Sequence, residues 1–132
     1  MAKKKKTLPK LKNDLDKWFS VYIRTRYADD QGMVDCFTSG VRKHWKEVHC
    51  GHFQSRRHLA TRWDEQNCQV QSVAENIYNQ GNQFQFGLNL DKKYGEGTAE
   101  GLLIKAQTTV KLSRVEIEEL IQHYKNLVQV YI

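Results

Sequence analysis

The stretch Val48–Phe53, which reads VHCGHF, decides the expected fold because it places two histidines at the end of a predicted strand. The segments Met33–Phe37 and Glu47–Cys50 have the composition of short strands, and Ser39 and Gly40 supply turn residues between them. This pattern predicts a β-hairpin, or a small two-stranded ribbon, in the first half of the chain.

Helical periodicity flanks the predicted ribbon on both sides. After Pro9, apolar residues recur at helical spacing, at Leu11, Leu15, Trp18 and Tyr22. They predict an amphipathic helix from Pro9 to Asp29. Near the other end of the chain, Ser113 and Glu116 have the spacing of a capping box and predict the start of a C-terminal helix.

The middle of the chain gives weaker signals. Apolar spacing predicts a short helix over residues 70–79 and another over residues 97–107. Residues 54–67 hold several basic and few apolar side chains, so they are predicted to form a long basic loop. Helices and short strands together predict an α+β fold.

Composition limits the classes of protein to which the chain can belong. Its 132 residues suit one domain, and 39% hydrophobic with 27% charged residues is typical of a globular protein rather than a disordered one. No apolar stretch is long enough for a membrane span or a signal peptide, so we expect a cytoplasmic protein without a membrane partner.

The charge balance favours a polyanionic partner. The chain has 21 Lys and Arg against 15 Asp and Glu, a net charge of +6, which suits phosphate binding but also serves solubility alone. The run Lys3–Lys6 predicts a flexible basic arm over residues 1–8. Three cysteines without a secretory context predict reduced thiols.

Three motifs follow one another in a fixed order: VHCGHF at residues 48–53, RWDEQN at 62–67 and ENIYNQGN at 75–82. In this order, with Ser55 and Arg56 between the first two, they resemble the NinG (Rap) recombination-endonuclease family of phages. That family is a branch of the HNH, or ββα-metal, nucleases. The similarity covers about half of the chain, from Met33 to Gly95.

The resemblance implies a domain organisation. A small ββα-metal, HNH-like core would occupy residues 33–95, with an N-terminal helix at 9–30 and C-terminal helices at 97–132. Residues 9–132 would then form a single HNH-like domain behind the basic arm. If the chain is phage-encoded, its compartment would be the host cytoplasm.

The family also implies roles for the catalytic residues. His52 would be the general base that activates water against a phosphodiester, since an imidazole of ordinary pKa, about 6.5, is largely neutral near pH 7. Asn67 would orient that imidazole or shape the loop around it.

Two residues are candidates for holding a divalent cation, Mg²⁺ or Mn²⁺. Asn76 matches the family's metal-ligand position, and its amide oxygen suits such a hard cation. His49 stands where the family often has Asp. In an ideal strand His49 and His52 face opposite sides, so their convergence would require a bulge or a strand end.

Three arginines of the basic loop, Arg56, Arg57 and Arg62, are candidates for DNA-phosphate contacts, although solvated loop charges would have the same sequence pattern. Trp18, Trp45 and Trp63 are expected to pack in the domain rather than to stack on bases.

The chain departs from the family at its structural zinc. The family binds zinc with two Cys-x-x-Cys knuckles, and the corresponding positions here are Cys36, Ser39, Ser72 and Glu75. Three of four thiolates are missing, so no structural zinc is expected, and packing with polar contacts should hold this region. Whether Cys36, Cys50 and Cys68 form a substitute site is left open.

Three functions fit the sequence. The first is a metal-dependent DNA endonuclease, acting in phage recombination or on branched DNA. The second is a catalytically degenerate HNH-fold module that binds DNA through its basic surface. The third is an interaction subunit of a phage recombination or packaging assembly, which would use the terminal helices to contact a protein partner.

Overall fold

The computed structural model describes residues 4–132, so the first three positions of the predicted basic arm lie outside the described residues. The chain combines helices with two small sheets, as an α+β protein. The helices are α1 (Leu8–Thr25), α2 (Leu59–Arg62), α3 (Gln83–Tyr94), α4 (Thr98–Ala106) and α5 (Arg114–Leu127). The strands are β1 (Met33–Asp35), β2 (Arg42–His44), β3 (Val48–His52) and β4 (Cys68–Ser72). A π-helical turn (Ala74–Tyr78) follows β4.

Helix α1 begins close to where the sequence predicts and ends earlier. The Thr7 side chain caps its first turn by accepting from the backbone N–H of Lys10. The helix ends at Thr25 rather than at 29 or 30, because the Asp29 carboxylate accepts from the backbone N–H groups of Gln31 and Met33. Asp29 therefore belongs to a tight turn that leads into β1.

The strands pair differently from the predicted ribbon. β1 pairs with β2, and β3 pairs with β4, both antiparallel. The prediction of a helix over residues 70–79 is wrong for residues 70–72, which are the end of β4, whereas Ala74–Tyr78 is helical as a π-helical turn. Ile77, in the π-helical turn, is exposed, whereas every residue of β4 is buried, with Cys68 and Val70 in the hydrophobic core.

The core lies mainly where α1 packs against α5 and against the β3–β4 pair. Leu15, Phe19 and Ile23 of α1 meet Ile117 and Tyr124 of α5, and each such fully buried side chain contributes about 1.5–3 kcal/mol. The predicted capping box of α5 is confirmed: the Ser113 hydroxyl accepts from the Glu116 N–H, and the Glu116 carboxylate accepts from the Ser113 N–H. This packing fixes α1 alongside β3.

In the part of the chain that the structure describes, we find no helix with the length and apolarity needed to cross a membrane.

Candidate active site

A cleft of about 450 Å³ lies between α1 and β3. The elements that line it come from distant parts of the sequence. Helix α1 contributes Asp16, Phe19, Ser20 and Arg24. Strand β3 contributes Val48, His49, Cys50 and His52. The remaining lining residues are Lys46, Arg56 and Asn76. The cleft thus brings together four of the residues that the sequence singles out, namely His49, His52, Arg56 and Asn76.

His52, at the end of β3, is held in a defined orientation. Its Nε2 lies 3.0 Å from the backbone carbonyl oxygen of Arg62. A carbonyl can only accept a hydrogen bond, so Nε2 carries the proton and the lone pair of the neutral ring is on Nδ1. Nδ1 is therefore the nitrogen that can accept a proton from water.

The surroundings of His52 also favour its neutral form. Burial lowers the pKa of this histidine below its ordinary value, with help from the charge of Arg56 and against the opposing effects of the backbone at Arg62 and Cys50 and of the Asp16 carboxylate. The ring is consequently unprotonated at neutral pH, as a general base must be.

Asn67 is fully buried and shapes the loop that follows β3. Its Oδ1 accepts from the N–H of Gln54 at 2.7 Å, and its Nδ2 donates to the carbonyls of Gln54 and Thr61 at 3.1 and 3.0 Å. Asn67 is not among the residues that line the cleft. These hydrogen bonds join parts of the loop, as the second of the two expected roles requires, and none of them reaches the His52 ring.

The predicted basic loop is not wholly irregular, because α2 interrupts it. The last residue of α2, Arg62, directs its guanidinium inward. Its Nε and one terminal nitrogen bind the two carboxylate oxygens of Asp16, at 3.0 and 2.5 Å. The Trp63 indole donates to the same carboxylate at 2.9 Å. The charge of Arg62 is thus neutralised within the protein, and its side chain is only 14% exposed.

The other two arginines of this segment stay at the surface. The Arg56 side chain is 60% exposed and reaches Asp16 at 3.2 Å with one terminal nitrogen. Arg57 is exposed as well. These two side chains, rather than Arg62, have charges exposed to a ligand, and Arg56 is the one that lines the cleft.

His49 and Asn76 contact each other directly. Nδ1 of His49 lies 3.0 Å from Nδ2 of Asn76, which the π-helical turn carries toward β3. With Nδ2 donating, the amide oxygen of Asn76 is the atom that can bind a cation.

His49 and His52 line one cleft without a bulge in β3, and His52 is the last residue of the strand, which is the second of the two arrangements expected from strand geometry. The β3–β4 ladder runs without interruption from Val48 opposite Ser72 to His52 opposite Cys68. Within the described residues β3 pairs with β4 along one edge and has no strand along its other edge. Side chains from both faces of β3 line the cleft. The cleft therefore extends around the open edge of β3.

The positions that match the zinc knuckles remain in contact through hydrogen bonds. The Cys36 sulfur accepts from the Ser72 N–H at 3.2 Å, and the Ser72 hydroxyl accepts from the Glu75 N–H at 3.3 Å. Burial alone would raise the pKa of Cys36, but hydrogen bonds from Ser39, Ser72 and Thr38 lower it to about 7. Polar contacts thus join the segment around Cys36 to the end of β4 and to the start of the π-helical turn.

Sequence reasoning missed the contribution of α1 to the cleft. Asp16 follows Leu15 on a helix that the sequence characterises by its apolar stripe, and nothing in the local pattern marks this carboxylate as the partner of Arg62. Arg24 is similarly unmarked, although it reaches the carbonyl of Trp45 at 3.1 Å beside the cleft.

Comparison with known proteins gives one match. A family model described as Bacteriophage Lambda NinG protein matches residues 1–131, so the similarity extends over both terminal helices and not only over the motifs between Met33 and Gly95. Neither a curated protein nor a solved structure matches the chain.

Proposed function

The chain belongs to the bacteriophage lambda NinG protein family, and from this premise we propose that it is a metal-dependent DNA endonuclease of the HNH type. It would hydrolyse phosphodiester bonds in phage recombination or branched-DNA processing. The observation that supports this most directly is the hydrogen bond from His52 to the Arg62 carbonyl, because it leaves a basic nitrogen available beside a cationic cleft.

The proposed reaction uses His52 as the general base. Nδ1 of His52 removes a proton from water as the water oxygen attacks phosphorus, and the bond to the leaving oxygen of the sugar breaks. The Arg62 carbonyl stabilises the imidazolium that forms, since it already accepts from Nε2. Arg56 and Lys46 bind the phosphate and neutralise part of its charge.

The residues near His52 fit a hard divalent cation such as Mg²⁺ or Mn²⁺. The amide oxygen of Asn76 is a suitable donor, and Mg²⁺ retains several waters, so it needs only one or two protein ligands. His49 contacts Asn76 and is either its positioning partner or a second ligand. When bound, the cation would stabilise negative charge on the leaving oxygen.

One observation favours a second candidate function, DNA binding without cleavage. Asp16 is the one carboxylate among the described residues that lines the cleft, and its two oxygens are already bound by Arg62, with further contacts from Arg56 and Trp63. A cleft with neutral or cationic side chains attracts phosphate even if no catalytic ion binds. The two functions are separated by whether labelled duplex, single-stranded and branched DNA are cut when Mg²⁺ or Mn²⁺ is added.

The cation requirement should depend on Asn76. We expect Asn76→Ala to raise the Mn²⁺ concentration needed for half-maximal cleavage by at least about tenfold, because it removes the proposed oxygen ligand. The measurement is a metal titration of cleavage rate on labelled DNA. The matched control is Asn126→Ala, which alters an exposed asparagine on α5 that contacts only Gln122 among the recorded side-chain bonds.

These cleavage assays can contradict the proposal at two points. No metal-dependent product from the unaltered chain on any of the three DNA forms would favour the binding module. An unchanged metal titration for Asn76→Ala would remove Asn76 from the metal site.

DNA affinity should depend on the two exposed arginines. We expect the double substitution Arg56→Ala/Arg57→Ala to weaken binding of all DNA sequences alike and to reduce the slope of log affinity against log salt by up to about 2, near 0.9 per lost contact. Fluorescence anisotropy with labelled duplex, measured at several salt concentrations, gives this slope.

Arg114→Ala serves as the control for the arginine pair, since Arg114 lies at the start of α5 and pairs with Glu118. It should leave the slope unchanged. A double substitution that binds with the slope of the unaltered chain would show that the phosphates contact another surface.

A further inference from the structure

A second group of possible metal ligands adjoins the cleft. One ligand atom from each of Cys50, His52 and Cys68 lies within 4.8 Å of the other two. The strand pairing explains this convergence: Cys50 and His52 are two residues apart on β3 and share a face, and Cys68 of β4 is the direct partner of His52. The backbone therefore fixes the three ligand positions.

The chemistry of this group differs from that of the Asn76 site. Two thiols and an imidazole suit a soft or borderline cation such as Zn²⁺, whereas Mg²⁺ and Mn²⁺ prefer oxygen donors. Two thiolates also neutralise a divalent cation, which lowers the cost of placing it beside Cys68, a fully buried residue.

Access and coordination are both provided by the cleft. Cys50 and His52 line it, so a cation can enter from that side and a water molecule from the cleft can take the fourth tetrahedral position. All three cysteines are free thiols, and burial raises the pKa of Cys68, so the protons of Cys50 and Cys68 would be released as the two metal–sulfur bonds form.

We propose that Cys50, His52 and Cys68 bind one thiophilic divalent cation of the Zn²⁺ class, and that its binding inhibits hydrolysis at the neighbouring cleft. The inhibitory half of this proposal rests on the proposed nuclease function. A neutral imidazole has a single nitrogen lone pair available for a proton or a metal. Whichever ring nitrogen binds the cation, His52 loses its capacity to take a proton from water.

Metal binding is tested separately from catalysis. The full chain, kept reduced, is titrated with Co²⁺ as a spectroscopic substitute for Zn²⁺. We expect thiolate-to-cobalt charge-transfer and tetrahedral d–d bands that saturate at one equivalent and disappear when Zn²⁺ is added. Mn²⁺ should not displace the Co²⁺.

Substitution of single cysteines identifies the ligands. Cys50→Ser, at a half-buried position, and Cys68→Val, which keeps an apolar side chain in the core, should each abolish the charge-transfer band. The matched control is Cys36→Ser, which alters the remaining thiol and should leave the band in place. Absence of the band from the unaltered chain, or its persistence in Cys50→Ser, would overturn the site.

Inhibition is then measured as the ratio of cleavage rates with and without Zn²⁺, each protein being compared only with itself. For the unaltered chain, saturating Zn²⁺ added to the Mn²⁺-supported reaction should lower the rate by at least about a hundredfold, the scale of losing a general base. For Cys50→Ser the ratio should be close to one.

The outcomes distinguish the two proposals. Cobalt bands from a chain that cleaves no DNA, even before Zn²⁺ is added, would support the thiolate site and overturn the nuclease function. Cleavage supported by Zn²⁺ alone, with the bands present, would overturn the inhibitory role. Cleavage without any cobalt bands would overturn the site while leaving the nuclease intact.

Discussion

His52→Ala is expected to lower the rate of metal-dependent DNA cleavage by about 10²–10⁴-fold, the usual contribution of a positioned general base. The substitution removes the nitrogen that would accept the proton of the attacking water. Because His52 is at the end of β3 rather than in the centre of the core, the variant should fold. Its rate on labelled DNA is to be measured at saturating Mn²⁺, with circular dichroism confirming the fold.

The pH dependence adds an independent test of the same residue. Burial lowers the pKa of His52, so protonation should inactivate the enzyme only below the ordinary histidine value of about 6.5. We therefore expect the logarithm of the cleavage rate to rise with pH and then level off, with the bend of the profile below pH about 6.5.

His123→Ala is the matched control, since it alters an exposed histidine on α5. Its cleavage rate should equal that of the unaltered chain. A His52→Ala variant that is folded and fully active would remove His52 from the mechanism, and the proposed nuclease centre with it.

Asp16→Ala is expected to lower the free energy of unfolding by about 3 kcal/mol, because it leaves the guanidinium of Arg62 with little exposure and no counter-charge. It also removes the acceptor for the Trp63 indole and one partner of Arg56. Denaturant unfolding followed by tryptophan fluorescence measures the change, provided that the slope with denaturant stays constant.

Asp14→Ala is a control on the same helix. Asp14 pairs with Lys6 at the surface, where an ion pair contributes at most about 1 kcal/mol. If both variants lose the same stability, the carboxylate of Asp16 has no special role. A second readout is cleavage: since Arg62 presents the carbonyl that orients His52, Asp16→Ala should also slow hydrolysis when it is folded.

The long helices could be predicted from the sequence because their signals are local. Leu11 and Leu15 recur at helical spacing, and Ser113 with Glu116 forms the capping box that the sequence predicts. The end of α1 could not be placed, since no glycine or proline stands between Tyr22 and Asp30, while the Asp29 carboxylate captures the backbone of the following turn.

The pairing of the strands could not be predicted from short stretches of sequence. Gln69 and Gln71 make β4 look polar, yet both are buried, and the Gln71 amide donates to the Gly81 carbonyl and to the Thr38 hydroxyl. Thr38 is 33 residues away from Gln71 in the sequence, and Gly81 is 10 residues away, beyond the end of β4. The strand character of this segment therefore depends on tertiary contacts that no short window contains.

For the site too, local motifs could be predicted from the sequence, whereas contacts between distant residues could not. The motif order predicted that His52 and Asn76 would face one pocket, and the structure places both on the wall of a single cleft. The roles assigned to His52, Asn67, Asn76 and His49 stay predictions. The carboxylate of Asp16 was missed because its contact with Arg62 joins residues 46 positions apart.

The large sequence separation between Asp16 and Arg62 has a consequence for folding. The orientation of His52 depends on a carbonyl whose neighbouring guanidinium is fixed by α1, and α1 is in turn covered by α5 from the far end of the described chain. Loops of this length close slowly compared with the nucleation of a single helix. The proposed hydrolytic centre therefore depends on contacts between distant parts of the chain, and a chain in which only local helices had formed would hold no assembled centre.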